Sequence, residues 1–309
     1  MRILVTGGAG FIASHVADRY VALGHEVAVL DNLSTGFLPN VPPQARFYEA
    51  DLRDADAVAR VFQDFRPQVV NHHAAQIDVR VSVDDPAGDA LINVVGSCRL
   101  LTLCRKHGVE RFVYISSGGA IYGEPRYLPV DEEHPVSPEA PYGITKHTVE
   151  HYLEIERRLF GLKTVVLRYP NIYGPRQNPR GEAGVNAIFI GMMLEGRVPV
   201  IYGDGNAERD YLYVLDAVEA NHLALSRGEG QAFNLGWGEG ISVNRLYGLL
   251  QELVPFPQPV RYSEARPGEV SRIYLSAAKA RAGLGWEPRV DFRQGLRNTI
   301  EFVRSGAAR

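Results

Sequence analysis

Short apolar runs alternate with longer stretches of helical periodicity through the first half of the chain. The segments 3–6, 27–30, 69–71, 112–116 and 163–168 are rich in β-branched residues and bounded by turn formers, so they read as buried strands. Between them, 12–23, 55–65, 91–107 and 142–160 repeat apolar residues at three- and four-residue intervals and read as helices. Strands separated by helices imply right-handed crossovers and a parallel, doubly wound sheet, an α/β fold. After Pro170 the pattern breaks into loops rich in Gly, Pro, Asn and Arg, as in 174–181. Segments 214–225 and 232–235 read as a helix and a strand that return to the sheet, and Pro255 to Pro259 opens a final irregular region. The division expected is 1–170, with return segments near 212–238, and a smaller C-terminal α/β domain over 171–309. No internal repeat or low-complexity tract interrupts this pattern.

Composition narrows the function. With 45% apolar and 22% charged residues the chain has the profile of a globular protein. A formal net charge of −3 carries no nucleic-acid footprint, so small molecules are the expected partners. The N-terminal run is too short for a signal peptide, and no uninterrupted apolar run approaches membrane-spanning length; a cytoplasmic enzyme without membrane attachment is expected. The two cysteines, Cys98 and Cys104, fall on one helix about 9 Å apart along its axis and on different faces, too far to bridge. No metal site is expected. Of 33 basic residues only Lys106, Lys146, Lys163 and Lys279 are lysines, which singles each of them out.

The first strand runs into Gly7-Gly8-Ala9-Gly10-Phe11-Ile12-Ala13 and then a helix. Gly7 permits the tight turn, Gly10 permits close backbone approach, and Phe11 and Ile12 open a helix whose N-terminus suits a pyrophosphate. Ala13 takes the third small position, where its methyl still lets helix and strand approach. Asp31, ending the second strand with Asn32 after it, is placed to accept both hydroxyls of an adenosine ribose, and its charge opposes a 2′-phosphate; NAD is expected over NADP. Asp51-Leu52, after the third strand, is placed to clamp the adenine edge.

Tyr142-Gly143-Ile144-Thr145-Lys146 puts a phenol and an ammonium on one helix face, one turn apart. A phenol with a pKa of about 10 is a poor base near neutrality, but neighbouring positive charge favours the phenolate. Tyr142 then accepts a hydroxyl proton while hydride leaves the same carbon.

These residues together resemble the extended short-chain dehydrogenases/reductases, whose domain is Rossmann-like, over nearly the whole chain. The resemblance rests on Gly7-x-x-Gly10-x-x-Ala13, Asp31-Asn32, Asp51-Leu52, His73-Ala74-Ala75, Asn93, Ser116-Ser117, Tyr122-Gly123, Tyr142-x-x-x-Lys146 and the run from Arg168 through Tyr169, Pro170 and Asn171 to Pro175. It implies that Lys146 also binds the nicotinamide ribose and that Ala74, Ala75, Asn93, Ser116, Tyr169 and Pro170 belong to the cofactor site. In such enzymes a Ser or Thr four residues before the Tyr-Gly pair assists the phenol, and here that position is Gly118. Ser117 is the neighbouring candidate for the missing hydroxyl.

In the second half, Asn171, Arg209, Tyr211, Arg266 and Glu269 resemble the UDP-binding residues of nucleotide-sugar epimerases and dehydratases; a guanidinium suits a diphosphate, and Glu269 a ribose hydroxyl. Dehydratases of the family resemble this chain but carry Asp-Glu where it has Gly119 and Ala120, groups that move no proton. The resemblance therefore implies a 4-epimerase interconverting UDP-glucose and UDP-galactose through a 4-keto sugar. UDP-glucuronate or UDP-N-acetylhexosamine epimerases and a non-catalytic NAD-binding sensor are the alternatives. Ile273 falls near the family's size gate for N-acetylated sugars, and its medium bulk decides neither way. A homodimer through the helices of 91–107 and of Tyr142 is implied as well.

Overall fold

The computed structural model describes residues 1–179, 184–265 and 270–306. Seven strands form one parallel sheet: β1 (Arg2–Thr6), β2 (Glu26–Asp31), β3 (Arg46–Glu49), β4 (Val69–His72), β5 (Arg111–Ser117), β6 (Lys163–Tyr169) and, much later in the chain, β11 (Gln231–Asn234). Their order is β11-β6-β5-β4-β1-β2-β3. Strand order reverses between β1 and β4, which opens a crevice above their C-terminal ends.

The alternation along β1 shows how sequence selects the layers. Ile3 and Val5 pack with Val16, Ala17 and Tyr20 of helix α1 (Phe11–Ala22) and with Val218, from the later helix Val214–Ala224. Leu4 faces the opposite layer, where Val58, Val61 and Phe62 of α2 (Ala55–Phe65) meet Leu100, Leu101 and Cys104. Both faces of the sheet are therefore covered, as a parallel sheet requires. The α2 helix starts where the Asp54 carboxylate accepts from the N–H groups of Asp56 and Ala57, at 3.1 and 2.9 Å.

Two short helices, α3 (Val79–Asp84) and α4 (Pro86–Ala90), follow β4. The helix expected over 91–107 starts earlier, at Pro86, because Asp85 accepts the Gly88 N–H at 2.9 Å and Pro86 takes the first turn, where its missing N–H costs nothing. Leu91–Val95 is wound as a π-helix before the chain continues as α5 (Gly96–His107). By length and composition the whole Pro86–His107 segment would pass for a membrane span, although Asp89, Asn93 and Arg99 interrupt its apolar run. Here it lies against α2 and the later helix Pro141–Phe160, with Asp89 and Asn93 buried inside its network of hydrogen bonds. Cys98 is half-buried, Cys104 is buried, and both are free thiols.

A single turn, α6 (Gly118–Ile121), then leads to α7 (Pro141–Phe160). Beyond β6 the chain builds β7 (Asn171–Tyr173), α8 (Val185–Leu194), β8 (Val200–Tyr202), β9 (Glu208–Arg209), β10 (Tyr211–Tyr213) and α9 (Val214–Ala224) before returning through β11. The remainder is β12 (Ile241–Ser242), α10 (Val243–Leu253), β13 (Arg261–Ser263), β14 (Arg272–Ile273), α11 (Ala278–Leu284) and α12 (Phe292–Arg304). The late strands form small sheets, β10-β7, β12-β9-β14 and β13-β8. Their core, with Phe189, Tyr211, Leu246, Trp286 and Leu296, runs without a break into Ile115 and Leu167 of the main sheet.

A candidate dinucleotide and sugar site

Gly7 leaves β1 with φ +70°, and its N–H donates to the Leu30 carbonyl at 2.8 Å. A Cβ there would sit 2.8 Å from the Ala74 nitrogen, so the turn both needs the left-handed conformation and presses against the chain leaving β4. Gly10 is the N-cap of α1, and no side chain caps that helix. The first-turn N–H groups, from Phe11 and Ile12 onward, thus face the crevice as an open anion site. This cradle fits a dinucleotide pyrophosphate.

Asp31 is buried at the end of β2, where its Oδ2 accepts from the Ala9 N–H at 3.0 Å and Oδ1 from the Leu33 N–H at 2.8 Å. Each oxygen keeps a further lone pair for a ribose hydroxyl. Asn32 donates to Asp51 at 2.8 Å, and Arg53 grips both Asp51 oxygens at 2.9 and 2.8 Å. The Arg53 hydrogen bonds, opposed by partial burial, hold the Asp51 carboxyl well below the usual range. Leu52 beside it is buried. Ala74 donates its N–H to the Thr6 hydroxyl at 3.2 Å, and Ala75 follows it along the crevice edge.

Asn93 lies in the π-helical turn, a distortion that recurs at functional sites. Its amide oxygen accepts from the Gln76 N–H at 2.8 Å, and its amide nitrogen donates to the Gln76 carbonyl and to Asp89 Oδ1, each at 3.0 Å. Asp89 also accepts from the Gln76 amide at 3.0 Å and the Thr145 hydroxyl at 2.7 Å. The sequence reading missed this buried carboxylate. Its only signal was an acid four residues before Asn93 in an otherwise apolar helix.

At the mouth of β5, Ser116 is buried, and Ser117 follows it close enough to the Tyr142 phenol to favour the ionised form. Burial pushes that phenol up to about 12, an effect that Ser117 offsets and the Asp89 charge reinforces. The Lys146 ammonium lies 5.9 Å from the centre of the Tyr142 ring and donates to the Ile115 carbonyl at 2.9 Å. Burial brings it down to about 8, against the raising effect of Asp89 and Glu150. A Cβ on Gly118 would come 2.4 Å from Leu275 Cδ1, so the side chain usual at that position would meet a leucine methyl here. A Cβ on Gly119 would lie 3.8 Å from Asn171 Oδ1 and 4.0 Å from Ser117 Oγ, which places Asn171 beside the same loop.

The remaining residues are more scattered. Tyr169 is buried, hydrogen-bonded through its hydroxyl to Asn221, and Pro170 follows it as β6 ends. Arg209 donates to the Glu208 carbonyl at 3.0 Å and has no carboxylate partner among the described residues. The Tyr211 ring is core, 3% exposed and stacked on Phe292 at 5.2 Å. Arg266 and Glu269 lie outside the described residues. Asn186, which the sequence reading passed over, is 1% exposed with neither amide atom paired within the protein.

A family model described as "NAD dependent epimerase/dehydratase family" matches residues 3–236. The chain belongs to that family. A crystal structure of UDP-glucose 4-epimerase with UDP-glucose from Thermotoga maritima is 47% identical, with TM-score 0.98 over 99% of this chain and 100% of that one. The UDP-glucose 4-epimerase of Thermus thermophilus, in complex with NAD, is 46% identical, with TM-score 0.93 over 98% and 99%. A protein of Methanocaldococcus jannaschii named "Putative UDP-glucose 4-epimerase" is 45% identical over 304 residues, 98% of each chain. In this NAD-dependent epimerase/dehydratase, the glycine turn and Asp31 follow or end the neighbouring strands β1 and β2, and Tyr142 and Lys146 lie on α7.

Proposed function

We propose that this chain is a UDP-glucose 4-epimerase, and the observation that carries the reading is the Ser117–Tyr142–Lys146 cluster at the mouth of the dinucleotide cradle. NAD, held by the glycine turn and Asp31, would supply the hydride acceptor and donor for the C4 hydrogen. Tyr142 takes the proton of the sugar 4-hydroxyl and returns it. Ser117 supplies the hydroxyl for which Gly118 has no side chain. Lys146 keeps positive charge beside the phenol and holds the nicotinamide ribose. Asn171, Arg209 and Arg266 grip the nucleotide diphosphate with Asn186, so that the 4-keto sugar turns while its anchor stays fixed. Gly119 and Ala120 leave no acid–base pair for dehydration.

Residues 1–170 with the return through 212–238 form the NAD half of this reading, and most of 171–309 the sugar half. The decisive experiment incubates the purified protein with UDP-galactose, first without and then with added NAD, and follows UDP-glucose by NMR. Interconversion to a constant ratio supports the proposal. No epimerisation under either condition sinks it.

The same cluster gives a pH prediction. Asp89 is buried and has no cation partner within ion-pair distance among the described residues, yet its charge favours protonated Lys146. Asp89→Asn removes that support, so the alkaline limb of kcat, where the ammonium loses its proton, should move to lower pH. A profile coincident with wild type would remove Asp89 from the electrostatics of the site.

We also propose a homodimer. Leu91 and Val95 are exposed on one helix, and Ile144, Tyr152, Ile155 and Leu159 on α7, the last 66% exposed. Two such stripes on neighbouring helices match a four-helix bundle with a second copy. Ile155→Glu should convert a dimer to monomer in sedimentation equilibrium, and a monomeric wild-type protein would end this part of the proposal.

A further inference from the structure

Beside the exposed apolar stripe on α7, His147 and His151 occupy positions i and i+4 of one face. Their rings are 4.6 Å apart between centroids, and the two Nε2 atoms face each other at 3.1 Å. With metal–nitrogen bonds of about 2.05 Å, that separation corresponds to an angle of about 100° at a shared ion, between square and tetrahedral geometry. The other side of His147 is held as well. Its Nδ1 lies 3.3 Å from Glu150 Oε2, and Glu150 is fixed by Arg168 at 3.1 and 2.6 Å. A proton on Nδ1 that donates to this carboxylate leaves the Nε2 lone pair directed at His151. That is the carboxylate–histidine arrangement that orients metal-ligating imidazoles elsewhere.

We propose that His147 and His151 form a chelating site for a divalent transition-metal ion on the outer face of α7, with Glu150 as the carboxylate that orients His147. The inference is independent of the catalytic reading. In the single chain His151 is exposed at the edge of the apolar stripe of α7. Among the described residues no third His, Cys, Asp or Glu joins them, and water fills the remaining positions. Two imidazoles with water select copper, nickel and zinc over magnesium and calcium, with copper the tightest. In the absence of metal one ring donates its Nε2 hydrogen to the other. Coordination replaces that hydrogen bond after a tautomer change in the solvent-facing ring.

The test titrates the whole protein with Cu²⁺, Ni²⁺ and Mg²⁺ at about pH 8, where imidazole is neutral, by calorimetry and by electron paramagnetic resonance of the copper. One copper per chain at α7, showing coupling to two imidazole nitrogens, is expected, with no magnesium binding. His151→Ala should weaken Ni²⁺ binding about tenfold or more and lose one nitrogen coupling, while His151→Gln tests loss of the ligand with a longer side chain kept. The amino group of Met1, 3.4 Å from His25 Nδ1, offers a second pair of nitrogens. His25→Ala identifies any copper held there. Unchanged Ni²⁺ affinity and copper spectrum in both His151 variants, or no copper beyond that removed by His25→Ala, would overturn the proposal and leave an ordinary histidine hydrogen bond.

Discussion

Tyr142→Phe should lower kcat for UDP-galactose about 10³-fold while NAD stays bound and KM changes little. The phenylalanine keeps the ring, and the backbone N–H of residue 142 still donates to the Ser82 hydroxyl at 3.2 Å, so the start of α7 is retained. What disappears is the phenol oxygen assigned to exchange a proton with the sugar. Burial, reinforced by the Asp89 charge and only partly offset by Ser117, pushes the phenol up to about 12, so it is a poor base until positive charge acts on it. Lys146 and, when bound, the oxidised nicotinamide would supply that charge, and Ser117 also favours the ionised form. NAD content, read from the absorbance of cofactor released on denaturation, separates a lost base from a lost binding site. Turnover within about tenfold of wild type would remove Tyr142 as the base, because a general base contributes more than that.

The sequence was most informative where one local rule controls a long element. Apolar β-branched runs and three-to-four-residue periodicity placed β1, β2, β4, β5, β6 and β11 and the helices α1, α2, α7 and α9 to within a residue or two, with β3 and the N-terminal end of the Pro86–His107 helix as the exceptions. That end was missed because Asp85-Pro86 acts as a start signal ahead of the apolar repeat, not within it. The return of the chain through β11 was also legible, since Ala232 and Phe233 are apolar residues of a buried strand next to β6. By contrast β7, β9, β10, β12 and β14 are only two or three residues long. No periodicity exists at that length, and tertiary contacts alone define such pairs.

Within the candidate site the same division holds. The glycine turn, Asp31 and the Tyr142–Lys146 spacing are local, so they could be read directly. Asp89 acts on Lys146 from a different element, α4, and nothing in its own neighbourhood marks it as a partner, whereas Glu150 lies one turn further along α7 itself. Tyr211 shows the converse. It sits in sequence between Arg209 and the α9 helix, yet β10 turns its ring into the core against Phe292.

Glu150→Met should destabilise the fold by about 3–5 kcal/mol, measured by chemical denaturation, because it strands a buried guanidinium. Glu150 and Arg168 are each 8% exposed in their side chains and meet at 2.6 Å. Arg168 also donates to the Tyr122 hydroxyl at 2.7 Å, which in turn donates to Asn234 Oδ1 at 2.8 Å. The network thereby ties α7 to β6 and β11, and α7 carries Tyr142 and Lys146 within about two turns of Glu150. Burial opposes ionisation of Glu150, but hydrogen bonds from His147 and Arg168 together with the Arg168 charge outweigh it and bring the carboxyl down to about 2. A carboxyl lowered on folding adds stability that is fully present above its unfolded pKa of about 4.3 and lost as pH falls through the folded value. Acid should therefore weaken wild type more than Glu150→Met. Arg168→Met alone should also destabilise, by removing the partner of a buried carboxylate. The double variant, with two apolar side chains facing each other, should be more stable than Glu150→Met. Strictly additive losses would show that the two residues act separately, and the ion pair would then not be what holds α7 against the sheet.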